Sequence, residues 1–310
     1  MEAKIIKGDL IQEKIFSEVK NEVLSIYEKY HKKPGIAFVG FSCVPLSKYN
    51  IPFHVQMAQA AGFNVLTEIK EENTTEGELV DFIEQLNQNS DIHAIVLLQP
   101  LPVHLNPIRI INKITPDKEV EGFHPQNMLS TLIPDIQTEK YPMCLPSALF
   151  ELFKEAGLQL QKDQQWVFVL DDEFISNTLT NMIVKSAASK AVPTDCSATF
   201  INKSSGNLIE SCKRADVLVV VSKFPEYIQA EWLKPGVCVI DIYSNLVKEI
   251  PSKNDPKKLV PVIRGGINVE SVKNIASIIL PIPGGLMTVV LPILLRNALK
   301  SFKNSLIKTQ

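Results

Sequence analysis

The sequence predicts an α/β protein of two domains built on a mostly parallel sheet. Three observations carry this. Short apolar runs alternate with segments whose apolar residues recur at helical spacing, the pattern of βαβ units. The alternation runs through the first half of the chain and again through the second. A length of 310 residues is long for one core and ample for two.

Residues Ile5 to Tyr30 place Ile11, Ile15, Val19, Val23 and Ile26 on one face among lysines and glutamates, a surface helix. Gly35 to Gly40 reads as a buried strand and His54 to Ala61 as the helix after it, closed by Gly62. Phe63 to Ile69 is a second strand. Thr75 caps the next helix, which runs through Leu86, and Glu78 completes a capping box. Ile92 to Leu98 is a third strand, ended rigidly by Gln99-Pro-Leu-Pro102 at the edge where ligands bind in this architecture. Asn106 to Lys113 is a short helix, Lys118 to Asn127 a polar loop, and Ser147 to Ala156 a helix at the domain junction.

The second half gives strands at Val167–Leu170, Ala198–Asn202, Val217–Val221 and Val237–Ile242. Helical stretches fall at Ile175–Ser189, Leu208–Lys213, Ala230–Leu233 and Val269–Ala276, with a final helix from Val289 to Phe302. Lys248 to Lys258, charged and proline-containing, reads as a solvated loop. The strand-to-helix turn after Leu170 is where a dinucleotide pyrophosphate would rest on a helix N-terminus, over glycines that let backbone N–H groups approach. That turn carries Asp171, Asp172 and Glu173 and no glycine.

A net charge of −2 argues against nucleic acid or an anionic membrane as partner. Five scattered cysteines, without metal-ligand spacing, read as reduced thiols of a cytoplasmic protein, and no metal is expected. The N-terminus shows no signal pattern. Ile275 to Leu295 holds no charged residue, but Pro281, Pro283, Gly284, Gly285 and Pro292 interrupt it, so it reads as a buried loop and packed helix.

Six motifs, in order, carry a resemblance: Ile5-Ile-Lys-Gly8, Pro100-Leu-Pro102, Thr115 to Asn127, Ala215-Asp-Val-Leu218, Lys234 to Asp241 and Pro281 to Thr288. The chain resembles the bifunctional methylenetetrahydrofolate dehydrogenase/methenyltetrahydrofolate cyclohydrolase family of one-carbon metabolism. The resemblance implies two α/β domains flanking a cleft, the second Rossmann-like. A folate-type domain would span residues 1–145 plus 286–310 and an NAD(P)-binding-type domain residues 146–285. It also implies a homodimer through the second domain, and a heterodimer with an active relative stays open. The family passes a hydride from the folate methylene carbon to NADP or NAD and then hydrolyses the methenyl product. A lysine held by a tyrosine and a glutamine runs the hydrolysis, and an aspartate holds the pterin.

The family's lysine position falls on different residues by different counts. From Gly62 it is His54, with Asn50 at the tyrosine position. From Gly40 it is Pro52, with Lys48 at the tyrosine position, and from Tyr49 it is Phe53. None is lysine, so His54, Lys48, Tyr49 and Gln99 are the candidates for catalysis, with His54 able in principle to shuttle a proton. The glutamine position is Leu98, and the neighbouring Gln99 points to the other side of the strand. The pterin aspartate falls on Glu121, one methylene longer, which leaves weak folate binding open. Asn127 matches the family and reads as a loop brace, and Pro283, Gly284 and Gly285 keep the opening of a loop covering the folate.

The cofactor positions depart furthest. Leu170-Asp171-Asp172 replaces a Gly-Arg-Ser, so a carboxylate stands where an arginine would meet a 2′-phosphate, a change worth on the order of several kcal/mol. Ser176 replaces a helix-opening glycine, Val221 and Lys223 replace a small residue and a glycine, and Tyr243 replaces another glycine. The expectation is a lost dinucleotide site with no cofactor bound, in a pseudoenzyme with a binding or dimer-partner role. The alternative is an active or partly active enzyme with shifted catalytic residues, using NADP or NAD.

Overall fold

The computed structural model describes residues 2–132, 141–157, 163–171 and 197–308. Its contacts group into two compact units, a first of Gln12–Cys144 with Leu291–Gln310 and a second of Met1–Ile11 with Leu145–Val290.

The first unit is built on three strands, β2 (Gly35–Phe41), β3 (Asn64–Lys70) and β4 (Ala94–Leu97), parallel and in the order β3-β2-β4. All seven residues of β2 are buried, as a central parallel strand covered on both faces requires. Helix α1 (Asp9–Tyr30) buries Ile11, Ile15, Val19 and Val23 at helical spacing. Helix α2 (Ser47–Ala60) follows β2, and Gly62, at φ +93°, turns the chain into β3. Helix α3 (Glu76–Gln88) begins with the expected capping box. The Glu78 N–H donates to Thr75 Oγ1 at 3.3 Å and the Thr75 N–H to Glu78 Oε2 at 2.8 Å. Short helices α4 (Pro107–Ile111) and α5 (Pro125–Leu132) complete the unit's central stretch.

The second unit opens in α6 (Cys144–Ala156) and carries six parallel strands. They are β1 (Lys4–Ile5), β5 (Gln165–Leu170), β6 (Ser197–Asn202), β7 (Val217–Val221), β8 (Cys238–Asp241) and β11 (Ile278–Leu280), in the order β1-β11-β8-β7-β5-β6. Val167, Val169, Leu218, Val220, Val239 and Ile279 form the core of one face, against α7 (Leu208–Arg214) and α8 (Val269–Val272).

Four expectations are corrected. The first residues do not belong to the first helix or to the first unit: Lys4 and Ile5 form β1, paired with Ile278 and Ile279 of β11. The segment read as a solvated loop is a hairpin, β9 (Asn245–Pro251) antiparallel to β10 (Leu259–Arg264). Lys248 and Glu249 lie in β9, while Lys253, Asp255, Lys257 and Lys258 fall in the turn over 252–258, so the loop reading holds for the turn and fails where backbone pairing decides. Helix α2 starts at Ser47, seven residues before the expected start, because it continues through Pro52. The last helix, α9, runs Leu286–Lys308, longer than expected at both ends. The expected helix over 175–189 lies outside the described residues. Among the described residues no helix is long and apolar enough to cross a membrane, and no group of His, Cys, Asp and Glu could hold a metal.

Helix α9 is tied into the first unit by polar contacts. The buried Asn297 amide donates to Val120 O at 2.9 Å and Pro142 O at 3.0 Å. The Ser301 hydroxyl lies 2.6 Å from His93 O and 2.7 Å from Asp117 O, one hydrogen shared between two carbonyls. Asn297→Ala strands two buried carbonyls, so urea denaturation should show a loss of about 1–3 kcal/mol. Ser305→Ala, further along the same helix and half-buried, should change stability by less than about 1 kcal/mol.

Candidate active site

In the first unit the functional candidates gather at the carboxyl edge of the β3-β2-β4 sheet. His54 sits one helical turn after Asn50 on α2, with its Nδ1 2.6 Å from Asn50 O. A carbonyl only accepts, so Nδ1 carries the hydrogen, and the neutral ring keeps its lone pair on Nε2. The ring is half-buried, edge-on to Phe38 at 5.5 Å and to Phe53 at 6.3 Å. Burial lowers its pKa below the ordinary histidine range, against the raising effect of Asn50 O. His54 is therefore a neutral imidazole near pH 7. Lys48 is exposed, its ammonium 5.1 Å from the Tyr49 ring centroid. Pro52 has no N–H to give Lys48 O, a break in the ladder two residues before His54.

Gln99 precedes a cis peptide to Pro100, and its amide donates back to Leu97 O at 3.3 Å. Leu98, at the position where the resemblance has glutamine, is half-buried.

The loop after β4 is built on one carboxylate. Glu119, buried, forms a single bridge beside Ile95 of β4. Its Oε1 accepts from the N–H of Glu121 at 2.9 Å and of Gly122 at 3.1 Å. Its Oε2 accepts from the His124 N–H at 2.8 Å and the Asn127 amide at 3.0 Å. Burial raises its pKa and these donors pull it down. Both oxygens are occupied by N–H donors, and no acceptor is left for a carboxyl proton, so geometry favours the ionised form. Burial first, and the charge of Glu119 second, push the Glu121 carboxyl up to about 8. Gly122, at φ +88°, lies so close to Met143 that a Cβ would fall 2.6 Å from its backbone. Asn127 braces this loop, donating to Glu119 O at 2.8 Å.

The second unit presents its own carboxyl edge. Asp171 follows β5, its N–H bonded to Val221 O at 2.9 Å and its Oδ2 accepting from the Ser222 hydroxyl at 2.9 Å. Its Oδ1 is buried without a hydrogen-bond partner among the described residues. Val221 is fully buried, Lys223 exposed and Tyr243 half-buried. Asp172 and Ser176 lie outside the described residues. Lys203, after β6, stacks its ammonium 3.0 Å from the Phe224 ring centroid. Asp241 ends β8, accepts from the N–H of Gly266 at 3.1 Å and Ile267 at 3.0 Å, and is pushed up to about 7 by burial. Gly265 is obligatory there, since a Cβ would fall 1.8 Å from the Asp241 carboxylate.

Two family models cover most of the chain. Tetrahydrofolate dehydrogenase/cyclohydrolase, catalytic domain, matches residues 6–121, and the NAD(P)-binding domain of the same family matches residues 143–306. This chain belongs to the tetrahydrofolate dehydrogenase/cyclohydrolase family. It is 34% identical over 303 residues to the "Bifunctional protein FolD" of Desulfosudis oleivorans, covering 98% of each chain. It is 32% identical, at the same coverage, to that of Desulfatibacillum aliphaticivorans. Among solved structures, the Trypanosoma brucei methylenetetrahydrofolate dehydrogenase-cyclohydrolase, complexed with NADP and an inhibitor, superposes with a TM-score of 0.83. That match has 24% identity and covers 99% of each chain. The NAD-dependent dehydrogenase of Saccharomyces cerevisiae superposes at 0.74 with 15% identity, covering 100% of each chain. At such identities these two likenesses speak for the fold.

The expected folate-cleft residues divide between the units. Glu121 and Asn127 share the loop of the first, while Pro283, Gly284 and Gly285 lie in the second. There Gly284 O accepts the Gly8 N–H at 2.8 Å, and a Cβ on Gly285 would strike Pro281 O at 2.4 Å, so these glycines shape a turn against the N-terminal segment. Sequence reasoning missed Glu119, Lys203 and Asp241. The Gly265-Gly266 pair was the available signal for Asp241, and the carboxylate two residues before Glu121 was the signal for Glu119.

Glu121 gives a pH test. A carboxyl whose folded pKa lies above its unfolded value is bound more tightly by protons in the folded state. Its contribution is present below the unfolded value, near 4.5, and is lost as pH rises towards about 8. Glu121→Gln should therefore gain stability relative to the unmutated protein at pH 8 and not at pH 4.5. Urea midpoints at the two pH values measure it.

Proposed function

We propose that this chain is a partly active tetrahydrofolate-interconverting enzyme of one-carbon metabolism. Its retained chemistry is hydrolysis of a methenyl-folate, with His54 as the proton-transfer group. The carrying observation is the 2.6 Å contact of His54 Nδ1 with Asn50 O, which orients the ring and leaves Nε2 as a base. A histidine of lowered pKa is unprotonated at neutral pH, as a general base must be.

In the proposed step, Nε2 takes a proton from water as the water oxygen bonds to the methenyl carbon. The carbon–nitrogen bond at N5 then breaks, Nε2 returns the first proton to that nitrogen, and the hydroxyl on the carbon gives its own proton to bulk water as it becomes the carbonyl, leaving a formyl-folate and one released proton. Glu121, at the position of the family's aspartate, faces the pterin with a carboxyl that is protonated when empty. Pterin N–H donors stabilise a carboxylate, so binding would release that proton.

NADP or NAD is the dinucleotide that a family member with hydride transfer uses, and the matched domain is of NAD(P)-binding type. When bound it would accept the hydride. The described residues at that edge fit it poorly. Asp171 holds a carboxylate at the end of β5, with the Ser222 hydroxyl already directed onto it, and Tyr243 adds bulk after β8. A polyanion there meets a negative charge of its own sign. No step is assigned to the dinucleotide.

The second reading is a pseudoenzyme that binds or partners an active relative. It is favoured by the Gln99 amide, which bonds its own strand end, and by the absence of lysine at the position of His54. In either reading we place the protein in the cytoplasm as a homodimer through the second unit. The hairpin's exposed Val247, Ile250, Leu259 and Val260 support that surface.

The decisive assay follows loss of methenyltetrahydrofolate absorbance with purified protein. Turnover is expected, rising with pH as His54 loses its proton, and falling about 10²–10⁴-fold in His54→Asn. Hydrolysis unchanged in that variant removes His54 from the reading. No hydrolysis at all leaves the pseudoenzyme. Reduction of NADP or NAD with methylenetetrahydrofolate, at a rate matching hydrolysis, overturns the assignment at the Asp171 edge.

A further inference from the structure

The first unit has a cavity at the opposite end of its strands from Gln99 and Glu121. It measures about 990 Å³ and opens at the amino edge of the sheet, beside Lys32, Asn64 and His93. Those residues stand just before or at the start of β2, β3 and β4, and β2 alone spans seven residues, roughly 20 Å of strand from edge to edge. The family's chemistry belongs to the other edge, and nothing in the proposed reaction uses this one.

The cavity is built from fixed parts. Gly35 opens β2 so tightly under the preceding loop that a Cβ would fall 1.8 Å from Asp91 O. Its N–H donates to His93 Nδ1 at 2.9 Å. A ring that accepts at Nδ1 carries its hydrogen on Nε2 when neutral. Phe302 of α9 packs edge-on to that ring at 4.7 Å, and Ser301 bonds His93 O. His93 thus stands as a rigid imidazole with an Nε2–H donor.

The charge around it is positive on balance. Lys118 is immobilised, its ammonium donating to Leu86 O at 2.9 Å, Asn87 O at 2.7 Å and Asn89 O at 2.7 Å. Lys32 is exposed and makes no hydrogen bond or ion pair among the described residues. Burial, with Lys118 and Lys32, pushes His93 down to about 4 against the opposing charge of Asp91. The ring therefore stays neutral in a field that would welcome an anion. Half-buried Val65, Leu66 and Leu306 line the cavity with apolar surface. Apolar walls with a few fixed polar groups are the usual make-up of a small-molecule site.

We propose that this amino-edge cavity binds a small organic anion, its carboxylate or phosphate held by Lys32 and the Nε2–H of His93 and its apolar body against Val65, Leu66 and Leu306. The proposal does not rest on the hydrolytic reading of His54.

Benzoate and phenyl phosphate are the probes, titrated into the full-length protein while the His93 ring signal is followed by NMR and assigned with His93→Gln. Toluene and inorganic phosphate serve as controls for the apolar body and the anion alone. The expected result is a saturable His93 shift with one or both aromatic anions, weakened about tenfold in Lys32→Gln. Which anion binds tighter separates a carboxylate from a phosphate ligand. The His93 pKa should rise on binding, since an anion favours the charged ring. Lys32 is exposed, so its variant keeps the fold, and methenyl-folate hydrolysis should be unchanged in it. No saturable shift with either probe overturns the proposal. So does equal binding in Lys32→Gln, or inorganic phosphate binding as tightly as phenyl phosphate.

Discussion

The Glu119 carboxylate is the constraint on which the candidate folate pocket depends. Four N–H donors from residues 121 to 127 converge on its two oxygens. A buried charge is tolerated only when it is satisfied in this way, and half of such a set would be worse than none. The loop that presents Glu121 therefore cannot relax independently of Glu119. Burial holds a proton on Glu121, and the charge of Glu119 adds to that effect. One residue thus sets the shape of the pocket and adds to the effect of burial on its protonation. It is anchored in turn, since Glu119 bridges to Ile95 of the central sheet and Val120 O accepts from Asn297 of the last helix.

The two carboxyl edges solve opposite electrostatic problems. At the first, buried acids are arranged to be neutralised by donors from loop or ligand. At the second, Asp171 takes the Ser222 hydroxyl and Asp241 takes two backbone N–H groups, so donors that could face a phosphate are turned inward. Lys203, stacked on Phe224, is a cation near that edge that a phosphate could recruit. This contrast is why the folate half supports a chemical proposal and the dinucleotide half does not.

Much of the architecture was legible in the sequence because apolar patterning and caps are local. The Thr75–Glu78 box, the fully buried run of β2 and the Val217–Val221 strand can each be read within a few residues. The failures were non-local. Lys4 and Ile5 form a strand only because β11 lies beside them, about 270 residues away in the chain. The hairpin of β9 and β10 is held by its own pairing, with a register shift at Val262/Ile263, and the charged turn between its strands hides their signal. Site residues were legible as positions rather than as environments. His54 and Glu121 could be counted to, but the Asn50 contact and the Glu119 charge that define their chemistry needed coordinates.

The sheet and its edges answer to different physical demands. The strands contribute stability through apolar burial, where most polar substitutions are costly. Edge residues contribute little to that sum, so a lysine can become a histidine, or an arginine an aspartate, while the sheet stays intact. A close structural match to an NADP-bound relative therefore speaks for the scaffold and leaves each edge to be argued from its own atoms. By that standard a histidine in place of the lysine would not be equivalent to an aspartate in place of the arginine. An imidazole of lowered pKa can still move a proton, whereas a carboxylate cannot stand in for a cation.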